Sequence, residues 1–386
     1  MVEPFSIAVP DDVLADLGRR LGATRWTDDF CNDDWRYGAN AAYFKDLAAH
    51  WRDAYDWRAR EREMNAFAHF VTDIDGLRIH FIRQPGNGPR PIPLILSHGW
   101  PWTFWDFRKV IGPLSDPAAY GGDPDDAFDV IVPSLPGYGF STPLRTPGIN
   151  WWKTADIWVK LMDRLGYDRF AAQGGDWGSF ITAQLGHKYP ERMIGVHLNT
   201  PAHLDFLTGG KHDKDDFAPE ELENRRWMAA FAAEETGYMA LQTTKPQTPA
   251  IALNDSPAGL LAWLVEKRRT WSDCNGEVES RFTKDELIDT AMIYWVTESY
   301  ATSARFYYEG RHDPWRPSHD RTPVVEAPTA LAIFPHELTR PPRKWAERYY
   351  NLQRWTPMQA GGHFAAAEEP EALVADLRAF FKDKRG

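Results

Sequence analysis

The feature that most constrains the fold of this chain is an elbow between a strand and a helix, within residues 169–190. This segment, RFAAQGGDWGSFITAQLGHKYP, has an apolar run, the pentapeptide GGDWG at 174–178 and then a helical pattern. The pentapeptide has the small-x-nucleophile-x-small form of a sharp turn that exposes a reactive side chain. Glycines are needed there because the backbone is strained and its neighbours pack closely. The segment therefore predicts a buried strand, a tight bend that carries Asp176, and a helix.

Apolar segments elsewhere in the chain predict the rest of an α/β architecture. Short apolar runs, most of them followed by loops rich in glycine or proline, occur at 93–102, 128–141, 193–201, 328–334 and around 354–364. Strands of this kind, separated by helices, are typical of a mostly parallel central sheet with helices on both faces. The segment 67–84 predicts an additional hairpin with Asp75 and Gly76 at its turn.

Changes in the pattern divide the 386 residues into four parts. Residues 1–75 show helical spacing and recurring tryptophans, which predict an N-terminal helical arm that packs on something larger. Residues 76–202 and 321–386 carry the strand patterns of the core. Residues 203–320 have helical patterns and polar spacers. Because this insertion comes late in a parallel sheet, we expect it to form a helical lid over the strand ends.

The composition argues against several kinds of partner and location. A net charge of −11, without a long run of lysine or arginine, disfavours nucleic acid and anionic membrane surfaces. The two cysteines lack metal-type spacing and predict free thiols in a reducing cytoplasm. The sequence has no signal-peptide pattern and no run of ~18 apolar residues, so we expect no transmembrane helix. The 18 tryptophans fit either an aromatic cavity or an ordinary core.

An aspartate at the elbow selects the chemistry. Serine is the usual residue there and needs a base, whereas a carboxylate is already an anion at neutral pH. Such an anion can displace a leaving group from an sp³ carbon and form an ester, so it suits an epoxide or an alkyl halide. The alternative is that Asp176 only caps the following helix, because aspartate is a favoured N-cap residue.

A histidine and an acid complete the predicted machinery. His363 follows two glycines after the last strand pattern and suits a general base that activates water. Glu337, in the loop after the strand at 328–334, would orient His363 and stabilise its charged form. The order of nucleophile, acid and histidine along the chain is the order expected for such an elbow. Other carboxylates considered for the acid are Glu326, placed before the strand, and Glu368 and Glu369, which follow His363 closely.

The segment HGWP at 98–101 supplies a further expected part of the site. It follows an apolar strand, which places the backbone N–H of Trp100 near the elbow. That N–H and the N–H of Trp177 are the expected oxyanion donors for ester hydrolysis. We also expect Trp100, Pro101 and Trp177 to line the substrate pocket.

These motifs resemble the microsomal epoxide hydrolase family, which has the α/β-hydrolase fold, and the resemblance covers nearly the whole chain. HGWP, GGDWG and GGHFAAAEEP match its core motifs, and GYMALQTTKPQT, ALNDSPAGLLAW and ARFYYE match its lid. The family uses two lid tyrosines to hold and protonate the epoxide oxygen. The match places them at Tyr238 and Tyr307, with the adjacent Tyr308 as an alternative to the second.

The resemblance implies an epoxide hydrolase that forms an ester on Asp176 and uses no metal or cofactor. It implies a small-molecule epoxide and water as the partners, and a possible homodimer. Some family members carry an N-terminal membrane anchor, whereas this sequence starts at the arm, so we expect a soluble cytoplasmic enzyme. The alternatives are a haloalkane dehalogenase, which needs a halide cradle, and a non-catalytic ligand-binding protein with the same fold.

Overall fold

The computed structural model describes residues 1–385, and its strands form one sheet. They are β1 (Val2–Phe5), β2 (His69–Ile74), β3 (Leu77–Gln84), β4 (Ile92–Ser97), β5 (Phe128–Pro133), β6 (Phe170–Gly174), β7 (Met193–Leu198), β8 (Val325–Ile333) and β9 (Tyr350–Pro357). The order across the sheet is β1-β2-β3-β5-β4-β6-β7-β8-β9. The first three pairs are antiparallel and the others are parallel, so the expected mostly parallel sheet is confirmed.

Helices cover both faces of this sheet. They are α1 (Asp11–Gly22), α2 (Ala41–Asp53), α3 (Trp57–Met64), α4 (Arg108–Ser115), α5 (Trp151–Arg164), α6 (Trp177–Lys188), α7 (Leu222–Glu234), α8 (Gly237–Thr244), α9 (Gln247–Asp255), α10 (Pro257–Trp271), α11 (Lys284–Val296), α12 (Tyr300–His312), α13 (Arg343–Tyr349), α14 (Ala365–Glu368) and α15 (Pro370–Phe381). Helices α5 and α6 pack together on one face, and α4 and α15 pack together on the other. None of the helices within residues 1–385 is both long and apolar enough to cross a membrane.

The elbow helix α6 lies at the centre of the molecule. Every residue from Trp177 to His187 is buried, because α6 is held between α5 and strands β6, β7 and β8. A helix that is covered all round needs no polar face. The end of α6 that follows the bend is therefore fixed by packing rather than by contact with solvent.

The predicted hairpin is confirmed as β2 and β3. Ile74 pairs with Leu77 across the turn, and both central residues have positive φ, 55° at Asp75 and 79° at Gly76. Positive φ at both positions is what a two-residue hairpin turn requires, and aspartate followed by glycine supplies it at low cost.

Residues 1–75 are less helical than their pattern predicts. They contribute α1, α2 and α3, and also β1 and β2 of the sheet. The short strand β1 pairs only with β2 and lies at the edge of the sheet, where Pro4 is tolerated because one side of the strand has no partner. This part also packs on the insertion: the Arg60 guanidinium and the Tyr55 hydroxyl both bind the buried carboxylate of Asp289 in α11.

The chain between β7 and β8 forms α7 to α12, and the described residues there contain no strand. Helix α7 differs from the others because none of its residues is fully buried. Its Trp227 indole N–H donates to the backbone oxygen of Glu337 at 3.0 Å. The boundaries at residues 75, 202 and 320 stay a prediction.

Candidate active site

The elbow holds Asp176 in a strained conformation. Strand β6 ends at Gly174, α6 begins at Trp177, and the backbone of Asp176 between them has φ 51° and ψ −130°. A non-glycine residue in this region costs about 1–3 kcal/mol and persists only where the surroundings enforce it. Gly178 allows the approach, because a Cβ there would lie 1.8 Å from the Ser97 carbonyl oxygen. The bend thus directs a carboxylate away from the strand.

The two oxygens of the Asp176 carboxylate have different neighbours. The Trp100 backbone N–H donates to Oδ1 at 2.7 Å, and Oδ2 lies 3.3 Å from Nε2 of His363. The loop after β4 can approach Oδ1 because residue 99 is glycine: a Cβ there would lie 2.0 Å from that oxygen. One oxygen is therefore held by a backbone donor, while the other faces the histidine.

The His363 ring is fully buried and tied to an acid. Its Nδ1 lies 2.8 Å from Oε1 of Glu337, which also accepts the Leu338 backbone N–H at 2.6 Å. The other oxygen, Oε2, accepts the Thr200 hydroxyl at 2.8 Å. This pattern makes Nδ1 the nitrogen that carries a proton and leaves Nε2 directed at Asp176.

The electrostatics of the site favour a charged His363. Burial works against the charge, but the carboxylates of Glu337 and Asp176 outweigh it and raise the pKa of His363 to about 9. At neutral pH the resting site therefore contains an imidazolium between two carboxylates. Removing the charge of either carboxylate lowers the pKa of His363, so a larger fraction of the ring is neutral and able to accept a proton at neutral pH.

Two phenols face the carboxylate from the helices of the insertion. Tyr238 lies in α8 and Tyr307 in α12, with their ring centroids 5.9 Å apart. Tyr238 stacks on Trp100 at 4.9 Å, and Tyr307 packs edge-on against Trp177 at 4.6 Å. Burial and the charge of Asp176 raise the pKa of both phenols above the ordinary range, so both stay protonated at neutral pH.

A cavity of about 80 Å³ connects these groups. Its walls contain one carboxylate and two phenols among mostly apolar side chains: Asp176, Trp177, Phe180, Thr200, Ala202, Phe206, Phe231, Tyr238, Met239, Tyr307, Leu338 and Thr339. Trp100 and Pro101 are buried in the neighbouring loop and are not among these wall residues. The Trp100 N–H binds Asp176, and its ring stacks on Tyr238. Within residues 1–385, no group of three or more histidine, cysteine or carboxylate side chains is arranged to hold a metal ion.

Comparison with known proteins identifies the fold and the family. Residues 2–107 match the family model for the epoxide hydrolase N terminus, and residues 92–259 match that for the alpha/beta hydrolase fold. A putative epoxide hydrolase from Stigmatella aurantiaca is 42% identical over 385 residues, which cover 100% of this chain and 86% of the relative. The chain belongs to the epoxide hydrolase family.

More distant members agree with this assignment. Epoxide hydrolase 1 from Sus scrofa is 37% identical over 402 residues, which cover 98% of this chain and 88% of that protein. The crystal structure of juvenile hormone epoxide hydrolase from Bombyx mori superposes with a TM-score of 0.88 at 31% identity, covering 100% of this chain and 95% of that one. The family resemblance and the α/β-hydrolase fold predicted from the sequence are confirmed, and this family member is a hydrolase of the class that acts on ether bonds.

Only one of the acids considered lies against His363 in this family member. Glu326 lies inside β8 rather than before the strand, because β8 begins at Val325, and its carboxylate pairs with Arg321. Glu369 pairs with Arg281. Glu368 is buried, and its carboxylate accepts backbone N–H groups rather than the His363 ring. The predicted Glu337 is the one that the structure brings to the histidine.

Thr200 is part of the site of this epoxide hydrolase, although the sequence did not predict it. Its hydroxyl accepts the backbone N–H of Asp176 at 2.9 Å and donates to Glu337 at 2.8 Å, so it links the elbow to the acid. The available signal was its position two residues after β7, at the same sheet edge as the elbow. Parallel strands all end at that edge, so a hydroxyl there is close to the site.

Proposed function

We propose that this enzyme converts an epoxide to a vicinal diol through a covalent ester on Asp176. The observation that carries the proposal is the carboxylate at the strained bend, with one oxygen held by Trp100 and the other beside a histidine paired with Glu337. A carboxylate so held is a ready nucleophile, and the histidine beside it is placed to activate water for the second step.

The first step opens the ring. Oδ2 of Asp176 forms a bond to one epoxide carbon as the bond from that carbon to the ring oxygen breaks, and the electron pair goes to the oxygen. Tyr238 or Tyr307 gives this oxygen a proton and becomes a phenolate, so the ring oxygen becomes the first hydroxyl of the diol. Phenols suit this role because they are protonated at neutral pH and so have a proton to give to a developing alkoxide. The geometry supports Tyr307 over Tyr308, whose ring stacks on His312 at 3.9 Å and does not line the cavity.

The second step cleaves the ester. Once Asp176 is alkylated its negative charge is gone, so the pKa of His363 falls from about 9. The imidazolium then gives its extra proton to the phenolate left by ring opening, and the neutral ring can take a proton from water. The hydroxide formed attacks the carboxyl carbon, and the negative charge develops on the oxygen that Trp100 holds. The Trp177 N–H, as second donor, remains an expectation of the same mechanism. Collapse of this intermediate breaks the bond to the diol oxygen, which takes the proton of the added hydroxyl. The diol leaves, and the carboxylate is restored beside a charged His363.

The route of the oxygen atoms tests the proposal. With enzyme in excess over an epoxide in water labelled with heavy oxygen, we expect the first diol to contain no label. The label should enter the peptide that carries Asp176, because water attacks the carboxyl carbon and not the epoxide. Mass spectrometry of the diol and of the digested protein reads both outcomes. Label in the first diol would contradict the covalent route, and halide release from a haloalkane without epoxide turnover would contradict the substrate class.

The lid phenols give a separate prediction. Replacing Tyr238 or Tyr307 by Phe removes one proton donor, and we expect ester formation to slow about 10²-fold. Stopped-flow measurement of the ester-forming phase checks this. Tyr308→Phe is the matched control and should react at nearly the rate of the unaltered enzyme. Equal effects at all three positions would mean that these rings only fill space.

The family resemblance also supports three expectations about the substrate class, the cellular location and the oligomeric state. The substrate is a small-molecule epoxide, with water as the second reactant. The other two expectations are that the enzyme acts in the cytoplasm and that it can form a homodimer.

A further inference from the structure

Glu368 is a buried carboxylate that the proposed mechanism does not use. Glu368 is 8% exposed and lies at the end of α14, five residues after His363. Oε1 accepts the backbone N–H of Phe364 at 2.9 Å, and Oε2 accepts that of Gly362 at 3.1 Å. The residues on either side of His363 therefore both donate their backbone N–H groups to one side chain.

The same carboxylate also contacts the insertion. Oε2 accepts the backbone N–H of Asp273, just after α10, at 2.8 Å. Beside it, the His363 backbone N–H donates to the Trp271 carbonyl oxygen at 2.9 Å, and the Gly361 N–H donates to Oδ2 of Asp273 at 2.9 Å. The backbone that carries the histidine is thus fixed to the segment 271–273 on consecutive residues, and Glu368 lies at the centre of these bonds.

A carboxylate fits this position better than any neutral side chain. It offers acceptor sites only, and every group directed at it from the backbone is a donor. Burial raises the pKa of Glu368 to about 7, although the N–H groups of Asp273 and Phe364 favour its charged form. A carboxyl group with a raised pKa in a buried place requires a reason, and it serves here neither as the acid for His363 nor as part of an ion pair.

We propose that Glu368 is a positioning residue for ester hydrolysis, which holds the His363 backbone between the core and the segment 271–273. The inference rests on the proposed function, because it assigns Glu368 to the second chemical step only. Asp176 is oriented by the Trp100 N–H and by the elbow, and the phenols belong to α8 and α12. None of these groups is hydrogen-bonded to Glu368, and of the two phenols only Tyr238 contacts the segment 271–273, through Trp271. Ring opening should therefore depend on Glu368 much less than ester cleavage does.

The test compares Glu368→Gln with the matched variant Glu369→Gln. Glutamine has nearly the same shape, but its amide NH₂ must face at least one of the three backbone donors and leave it unpaired. Glu369 is the adjacent carboxylate, which binds the Arg281 side chain at 2.7 Å and has a partly exposed side chain. Rapid-quench mass spectrometry of the Asp176 ester gives the rates of its formation and of its cleavage separately.

In Glu368→Gln we expect ester cleavage to slow at least about 10-fold while ester formation changes less than about 3-fold, because a small displacement of a catalytic group has a large effect on the step that uses it. Ester should then accumulate at steady state and kcat should fall. Glu369→Gln should match the unaltered enzyme in both rates. If Glu368→Gln is insoluble, Glu368→Asp retains the charge but shortens the side chain, and the same two rates are measured.

The outcomes separate this inference from the proposed function. Failure of the unaltered enzyme to form any ester would overturn the proposed function. Ester that forms in the unaltered enzyme and is cleaved by Glu368→Gln at an unchanged rate would overturn the role of Glu368 alone. Equal losses in both rates would also overturn it, because a general loss of structure does not discriminate between the two steps.

Discussion

Substitution of Asp176 by Ala is expected to lower kcat on the order of 10⁴-fold or more, because removal of a nucleophile eliminates the covalent route. Asp176 is the only carboxylate among the residues that line the cavity, so no neighbouring anion is placed to replace it. The measurement is diol formation from an epoxide, followed by chromatography. Residual turnover within about 10-fold of the unaltered enzyme would contradict the assignment of the nucleophile.

The same variant has a second readout that does not depend on turnover. The pKa of His363 is about 9 because two carboxylates surround it, and Asp176→Ala removes one of them. We therefore expect the His363 ring to titrate at lower pH in the variant, as measured by NMR with labelled histidine. Loss of activity with an unchanged His363 titration would indicate that Asp176 does not act on the histidine.

Substitution of His363 by Gln is expected to stop the reaction after its first step. Ester formation needs Asp176 and the phenols, whereas ester cleavage needs the base, so cleavage should slow about 10³-fold. Mass spectrometry of the intact protein should show an increase equal to the mass of the epoxide, located on the peptide that contains Asp176. Addition of epoxide should give at most one diol per enzyme on the time scale of the assay.

The exposed His312 provides the control for this variant. His312 stacks on Tyr308 outside the cavity, so His312→Gln should turn over normally and accumulate no adduct. A His363→Gln protein that is inactive but never carries an adduct would contradict the assignment of His363 to the second step. It would then have a role in ring opening or in folding.

The parts of the site that are predictable from the sequence are those whose chemistry demands one residue type at one place. The glycines of the bend form a recognisable pattern, and the position of Asp176 within that pattern identifies it as the nucleophile. His363 is identified in the same way, because it follows two glycines after the last strand. Glu337 is predictable because strand ends meet at one sheet edge. Thr200 and Glu368 are harder to predict, because a hydroxyl or a carboxylate near the site is recognised only from its hydrogen-bond partners.

The fold shows the same limit. Strong apolar runs and the Asp75 turn predict β2 to β7 well, because each depends on local sequence. The edge strand β1 contains Pro4 and depends on pairing with β2, about 70 residues later, so local sequence does not indicate it. Only the structure shows which tryptophans line the cavity, which fill the core and which are exposed. Trp177 lines the cavity, whereas Trp158 fills the core and Trp26 is exposed.

The small size of the cavity has a consequence for affinity. About 80 Å³ is less than the roughly 150 Å³ that accommodates benzene in an engineered protein cavity, so an aromatic epoxide needs a more open form of the enzyme. Among the helices that line the cavity, α7 is the one with no fully buried residue, and its Phe231 forms part of the wall, so it has the least packing to lose. The observed dissociation constant for such an epoxide is then the intrinsic one divided by the fraction of molecules that are open. A change in α7 far from Asp176 would alter the apparent affinity without touching the reacting atoms.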